Sequence, residues 1–339
     1  MQTTTHAVPP PQAMMGLITG YWRTQAVATA ARLAIADRLV DGPRSSASLA
    51  ADLKVDEGAL FRLLRGLTSL GVFVESSART FTLNPLGETL RSNVPGSMRD
   101  MAIAQASPGH WLTWGKLDDA VRTGTPSARA ALGSELFEYY GKNPVEAAAF
   151  SGAMGNLSAL AAQEVGKHLK LPNKATVVDV GGAHGTLLSG VLKAHPTARG
   201  VLTDLPHVIA TAPQALAALG LSDRVEAVAA DFFKTVPSGD VYLLKQILHD
   251  WSDEQSVAIL KNCAAAMNPG GRVVVVEMVV PHDGRPDMAQ MMDLNMLVLL
   301  PGRERTELEF AAVFEAAGLS TPVLTATHSP FLLIEATKR

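Results

Sequence analysis

From about residue 171 onward, short apolar runs alternate with stretches of helical character. The runs are ATVVDV, RGVLTD, RVEAVAAD, VYLLKQIL and RVVVVEMVV, and helices are expected at 186–194, 206–219, 253–267 and 307–317. This alternation predicts a parallel sheet covered by helices on both faces. The last two runs, PVLTAT and FLLIEA, are joined by only a few residues, so they must pair antiparallel. The expected fold class is therefore α/β: a doubly wound, mostly parallel sheet with a C-terminal antiparallel hairpin.

The first 170 residues have a different character. MQTTTHAVPPPQ reads as a flexible tail and lacks the basic start and apolar run of a signal peptide. Ala- and Leu-rich helices are expected over 13–40, and SSASLAADL reads as a short capped helix. A further helix over 55–70 places Leu60, Leu63, Leu64 and Leu67 on one apolar stripe and ends at Gly71. VFVES and TFTL then form a hairpin about Ser77-Ala78-Arg79. Two helices followed by a hairpin make a winged-helix pattern. Residues 96–171 read as helical, with breaks at SPGH, RTGTP and KNP.

A winged helix invites a DNA-binding reading, and charge decides against it. Lys54, Arg62, Arg65, Arg79 and Arg91 are balanced by Asp52, Asp56, Glu57, Glu75 and Glu88. Phosphate contact needs a basic footprint. The module therefore reads as a structural or dimerisation element, with no nucleic acid among its partners. The chain's net charge of −3 likewise gives no attraction to anionic membranes, and VVVVEMVV is too short to span one. The single cysteine, Cys263, excludes an intrachain disulfide and points to a reducing, cytoplasmic compartment. Two domains are expected: 13–100, winged-helix-like, and 101–339, a helical connector followed by the sheet core from about 171.

Three strands in succession end in an acid. DVGGAHG carries Asp179 at a strand end, followed by a turn with Gly181, Gly182 and Gly185. Such glycines let a backbone approach a ligand closely. G-x-G-x-x-G fails here, because Ala183 and Thr186 replace its second and third glycines. The loop fits a nucleoside methyl-donor loop, acid-x-G-x-G-x-G, better, with Ala183 as its one departure. Asp204 ends the next strand and suits a ribose diol; Asp231, followed by Phe232, suits an adenine. All three acids would lie at the carboxyl edge of the sheet, where open α/β sheets bind ligands.

ILHDWSDE places His249 and Asp250 at that same edge, just before a helix whose start is marked by the capping box S-x-x-Q from Ser252 to Gln255. An imidazole there can act as a general base at neutral pH. Two carboxylates could orient it. Glu277 interrupts the neighbouring apolar strand, where an unpaired charge is costly, and Glu304 lies in the following loop, ahead of a T-x-x-E cap. Cysteine pairs, H-x-x-x-H, P-loop and G-x-S-x-G patterns are all absent from the sequence, so no metal site is expected.

DVGGAHG, LTDLP, ADFF, LLKQILHDWSDE, NPGGRVVVVEMVVP and MMDLNMLVLLPGRERTELEF, behind a winged-helix front end, together resemble the S-adenosylmethionine-dependent small-molecule O-methyltransferases of plant phenolic and bacterial antibiotic pathways. The resemblance runs from about Ala13 to the end of the chain. It implies a class I methyltransferase-like fold and an N-terminal domain that forms a homodimer. It implies that Gly181, Asp204, Leu205, Asp231 and Phe232 hold the donor, with Lys245 beside it. It further implies His249 as base, Glu277 and Glu304 as its orienters, and Asp250 near the substrate. Met154, Met291, Met292, Asn295, Met296 and Leu299 would line the pocket for a small aromatic acceptor. The activity expected is methyl transfer to a phenolic hydroxyl. Other readings stay open: methylation of a heteroaromatic nitrogen, hydroxylation or decarboxylation of an aromatic on the same fold, and a winged-helix ligand-binding regulator. A nicotinamide oxidoreductase is disfavoured by the failed G-x-G-x-x-G.

Overall fold

A computed structural model of the chain describes residues 8–339, the side chain of Leu160 apart. The chain divides into two compact units. One combines the N-terminal residues up to Trp111 with Asn143–Asn156; the other combines Leu112–Lys142 with Leu157–Arg339. The helical stretch after residue 100 is thus shared between them.

In the first unit the expected tail is shorter than its composition suggests. Residues 1–7 lie outside the described residues, and a helix already spans Pro10–Ile18. Prolines at its first positions lose no helical hydrogen bond, because the first N–H groups of a helix have no partner in any case. The capped helix is Ser46–Leu53, with the Ser45 hydroxyl accepting the Ser48 N–H. The next helix is Glu57–Ser69, capped by Asp56. Its Leu60, Leu64 and Leu67 are buried with Ile35, Leu39, Leu49, Phe73 and Phe81, so the stripe faces a core as expected. Gly71 follows with φ +74°, a left-handed conformation suited to glycine. The hairpin strands are Val74–Ser77 and Thr80–Thr82, and Arg44–Ser45 adds a third short strand.

The second unit is built on a seven-stranded sheet. Its strands are β1 (Thr176–Val180), β2 (Arg199–Asp204), β3 (Val225–Ala229), β4 (Gly239–Lys245), β5 (Met267–Glu277), β6 (Val323–Thr325) and β7 (Leu332–Thr337). The spatial order is β6-β7-β5-β4-β1-β2-β3. The first five strands are parallel; β7 is antiparallel to both β5 and β6. Successive side chains of a strand point to opposite faces. Val177, Leu243, Val274 and Val276 accordingly enter one core, and Val178, Tyr242, Leu244, Val273 and Val275 the other. The first core is covered by Thr186–Ala194 (α1) and Ala212–Ala218, the second by Asp253–Ala266 (α2) and Glu307–Ala316 (α4). Between the last two, Met288–Leu299 (α3) carries expected pocket residues.

Three expected elements are cut differently. The helix over 206–219 is two pieces, Pro206–Ile209 and Ala212–Ala218, because Pro213 can neither donate to the ladder nor fit inside a continuous helix. VYLLKQIL is strand only as far as Lys245: Gln246 takes φ +51°, and Leu248–Asp250 form a 3-10 turn. RVVVVEMVV breaks after Glu277, and Val279–Val280 then pair with Arg305–Thr306 instead of continuing the main sheet. The last two cuts bring the His249 turn and the 304–306 segment to the carboxyl end of β4 and β5.

Candidate active site

Loops after β1, β2, β3 and β4 meet at one sheet edge. Gly181 has φ +68°, and its N–H bonds the Thr203 carbonyl at 2.8 Å. A Cβ there would stand 2.6 Å from the Ile247 side chain and 3.7 Å from the Phe232 ring. At Gly182 a Cβ would run into the Asp179 carboxyl and Leu202. Gly185 opens α1 with φ +74°. Ala183, between them, is held at φ +49°, where its Cβ crowds the backbone. Its N–H bonds Asp204 Oδ2 at 3.0 Å, and the Leu205 N–H takes Asp204 Oδ1 at 2.7 Å.

Asp179 is 2% exposed, and its Oδ2 has no hydrogen-bond partner within the protein. Burial pushes its carboxyl up to about 7; the Asp204 charge adds to the shift, while the Leu188 backbone and Lys245 oppose it. Asp231 is more open. It accepts the Phe233 N–H at 3.0 Å and pairs with Lys234 at 3.2 Å, and these two hold it below the usual carboxylate range. Phe232 packs edge-on against Phe233 and Trp251. Lys245 ends β4 over the ring of Phe331, bonded to the Gln246 side-chain oxygen. Burial lowers its pKa to about 8 against the pull of Asp179, Glu277 and Asp250. An unpartnered buried acceptor, a turn with no room for side chains at Gly181 and Gly182 and a row of carboxylates suit a nucleoside with hydroxyl and amine donors.

His249 is buried on the 3-10 turn. Its Nδ1 lies 2.7 Å from Glu304 Oε1 and its Nε2 3.3 Å from Asp250 Oδ1. Burial alone would lower the imidazole pKa. The Asp250 charge, the Glu304 hydrogen bond and the Glu277 charge outweigh it and raise the value to about 9. Burial also raises Asp250, to about 6, against the pull of His249.

Glu277 stands differently from expectation. It does not orient the ring: its Oε1 accepts the backbone N–H groups of Ile247 and His249, each at 3.1 Å. It holds the turn that carries the ring. Its Oε2 is buried without a partner, and burial raises its pKa. Two further residues escaped the sequence reading. Asp293 accepts the Glu304 N–H at 3.0 Å, and Arg305 is buried against the His249 turn. GRERT placed an arginine beside Glu304, but nothing in that polar run marked it as interior.

The expected acceptor-side residues divide. Met296 and Leu299 are buried on α3, Met292 and Asn295 are half-buried, and Met291 is exposed. The Trp114 indole N–H bonds Asn295 Oδ1 at 2.9 Å. Met154, half-buried on the helix Pro144–His168, belongs to the other compact unit. Among the described residues, no helix is long and apolar enough to cross a membrane.

Comparison with known proteins fits this geometry. Residues 114–320 match the O-methyltransferase domain family, and residues 15–93 match the O-methyltransferase dimerisation domain. The phenazine O-methyltransferase PhzM of Lysobacter antibioticus is 38% identical over 331 residues, covering 97% of each chain. The phenazine-1-carboxylate N-methyltransferase of Pseudomonas aeruginosa is 32% identical over 308 residues, covering 91% of each. The calicheamicin-biosynthesis methyltransferase CalO1, solved in its SAH-bound form, superposes with a TM-score of 0.85 at 34% identity, covering 98% of this chain and 100% of that one. The fold is the class I methyltransferase fold with a helical N-terminal part, and the donor is S-adenosylmethionine. The glycine turn, the row of acids and the whole-length matches place the chain in one family: it is an S-adenosylmethionine-dependent O-methyltransferase of the kind that methylates small secondary metabolites.

Proposed function

We propose that the enzyme transfers a methyl group to a hydroxyl of a small aromatic, phenolic metabolite, with His249 as general base. The observation that carries this reading is the pairing of a buried imidazole with Glu304 on Nδ1, with Nε2 3.3 Å from Asp250 Oδ1, the carboxylate read as meeting the substrate. S-adenosylmethionine, when bound, supplies a methyl made electrophilic by its sulfonium. Asp179, Gly181, Gly182, Gly185, Asp204, Leu205, Asp231, Phe232 and Lys245 form the donor site in this reading. Met291, Met292, Asn295, Met296 and Leu299 line the acceptor pocket in this reading, where flexible thioethers suit a flat, polarisable ring.

His249 takes the hydroxyl proton at Nε2, and Glu304 stabilises the imidazolium through Nδ1. A base raised to about 9 comes within about one unit of a phenol near 10, so proton transfer is almost balanced. Such help is worth on the order of 10²–10⁴-fold, and alignment of the acceptor oxygen with the methyl supplies as much again. Asp250, beside Nε2, receives the acceptor at the mouth of the site. Residues 13–100 form the homodimer module: Met14, Met15, Leu17, Ile18, Tyr21 and Trp22 all stand exposed on its first two helices and call for an apolar cover.

A nitrogen acceptor is the second reading, favoured by the N-methyltransferase among the relatives. A ring nitrogen already carries a lone pair and has little need of a base. The test is calorimetric titration of wild type and His249→Ala with S-adenosylmethionine and S-adenosylhomocysteine, followed by mass analysis against panels of phenols and N-heteroaromatics. The phenol reading requires a product 14 Da heavier from wild type alone, with donor binding intact in both proteins. Methylation that survives in His249→Ala would favour nitrogen, and no transfer to any phenol would overturn the reading.

A further inference from the structure

Arg305 is one of the largest fully buried side chains in the protein, yet it lies in a polar run between Glu304 and Thr306. All three nitrogens of its guanidinium are engaged, and every partner belongs to the segment that carries His249. Nη1 donates to the Leu248 carbonyl at 2.9 Å, and Nη2 donates to the Trp251 carbonyl at 2.9 Å and the Ser256 hydroxyl at 3.1 Å. Nε donates to Asp253 Oδ1 at 2.9 Å. Ser256 in turn donates to the Leu248 carbonyl at 3.2 Å.

The two carbonyls bracket His249 and Asp250 from either side. Residues 304 and 305 therefore grip one turn by different means: Glu304 holds the ring, Arg305 the backbone beneath it. The grip is anchored. Arg305–Thr306 pair as a short strand with Val279–Val280, and Gly302 approaches the His249 carbonyl so closely that no Cβ would fit. Glu277 closes the turn from the opposite direction, through the Ile247 and His249 N–H groups.

We propose that Arg305 is a positioning residue for methyl transfer: it fixes the His249 turn so that the imidazole stays seated between Glu304 and the acceptor. The assignment rests on His249 acting as the base. Only a planar fork reaches both carbonyls, the hydroxyl and the carboxylate at once, and a lysine ammonium cannot. Once the fork is lost, the Trp251 carbonyl and Ser256 lose their donor and the ring drifts from Glu304. Displacements of about 1 Å cost on the order of 100-fold in rate.

The test compares wild type with Arg305→Lys and Arg305→Met. His249 is followed by NMR through its ring carbon-bound proton with S-adenosylhomocysteine bound, and is identified among the nine histidines by the signal missing from His249→Ala. This arm needs no acceptor, so it answers even if the phenol reading fails. The expected result is a titration midpoint that falls toward the ordinary imidazole value in both variants, donor affinity within about twofold of wild type, and kcat on the best acceptor lowered at least about tenfold. A core arginine that merely stabilised the fold would lower the melting temperature and leave the midpoint unchanged. That result in either donor-binding variant overturns the proposal. If Arg305→Met does not bind donor, Arg305→Lys decides alone. If neither binds it, the role is structural and the proposal falls.

Discussion

Glu304 Oε1 stands 2.7 Å from Nδ1 of His249, and both side chains are buried. A carboxylate in that place favours the charged imidazole and holds its pKa up, after burial and Asp250 have acted. With His249 as the proposed base, the free enzyme gains it only as pH rises toward about 9. In wild type, kcat/KM should climb through the neutral range and level off near that value. Glu304→Gln keeps the shape and removes the charge. Its profile should level off at lower pH than in wild type, though Asp250 and Glu277 still favour the imidazolium, with kcat lower by on the order of tenfold, since a weaker base helps less. A profile unchanged in Glu304→Gln would detach the carboxylate from the ionisation.

Asp179 gives the opposite linkage. Its carboxyl is raised from 3.8 to about 7, so the folded protein holds its proton more tightly than the unfolded chain. Stability attributable to this group is present at low pH and declines as pH rises from about 4 to about 7. Asp179→Asn should be more stable than wild type at pH 8, by roughly 2–4 kcal/mol, and the gap should close near pH 4. The same substitution should weaken donor binding. Urea unfolding at both pH values, with a donor titration, checks the two effects, and a gap independent of pH would contradict the linkage.

Ala183 sits at φ +49° in the donor turn. Glycine would relieve about 1–2 kcal/mol of left-handed strain and cost about 0.4–1 kcal/mol in a looser unfolded chain. Ala183→Gly should gain roughly 0.5 kcal/mol net in denaturant unfolding. A loss of that size would mean that the turn carries no such strain.

Gly302 has no room for a side chain against the His249 carbonyl and the Asp250–Trp251 peptide. Gly302→Ala should push the turn out of line and lower methyl transfer by on the order of 100-fold. The glycine turn after β1 is remote in sequence and should still bind S-adenosylhomocysteine. Equal losses of binding and turnover would show that the damage is global.

The sequence carried most of the sheet and the order of its loops, because strands buried on both faces announce themselves as apolar runs and caps such as Ser252–Gln255 as local pairs. His249 was legible because it lies just past a strand end, and Glu304 as a loop carboxylate ahead of the Thr306–Glu309 cap that could reach it. Glu277 was legible as a costly buried charge but not in what it touches. Its partners are two N–H groups freed where Gln246 turns left-handed, and a residue's φ leaves no mark in a run such as LLKQIL. Arg305 was not legible. Its partners lie roughly fifty residues away, and a flanking glutamate and threonine make it look solvated.

The position of β7 has a consequence for how the protein is made. Residues 332–337 insert between β5 and β6, and Phe331, just before them, lies under Lys245. While these residues are still inside the ribosome, β5 exposes an unpaired edge and Lys245 lacks its aromatic floor. An exposed apolar edge is a template for wrong pairing. Until β7 inserts, β5 stays open to wrong pairing, and the sheet edge that carries Lys245 reaches its finished form only with that insertion.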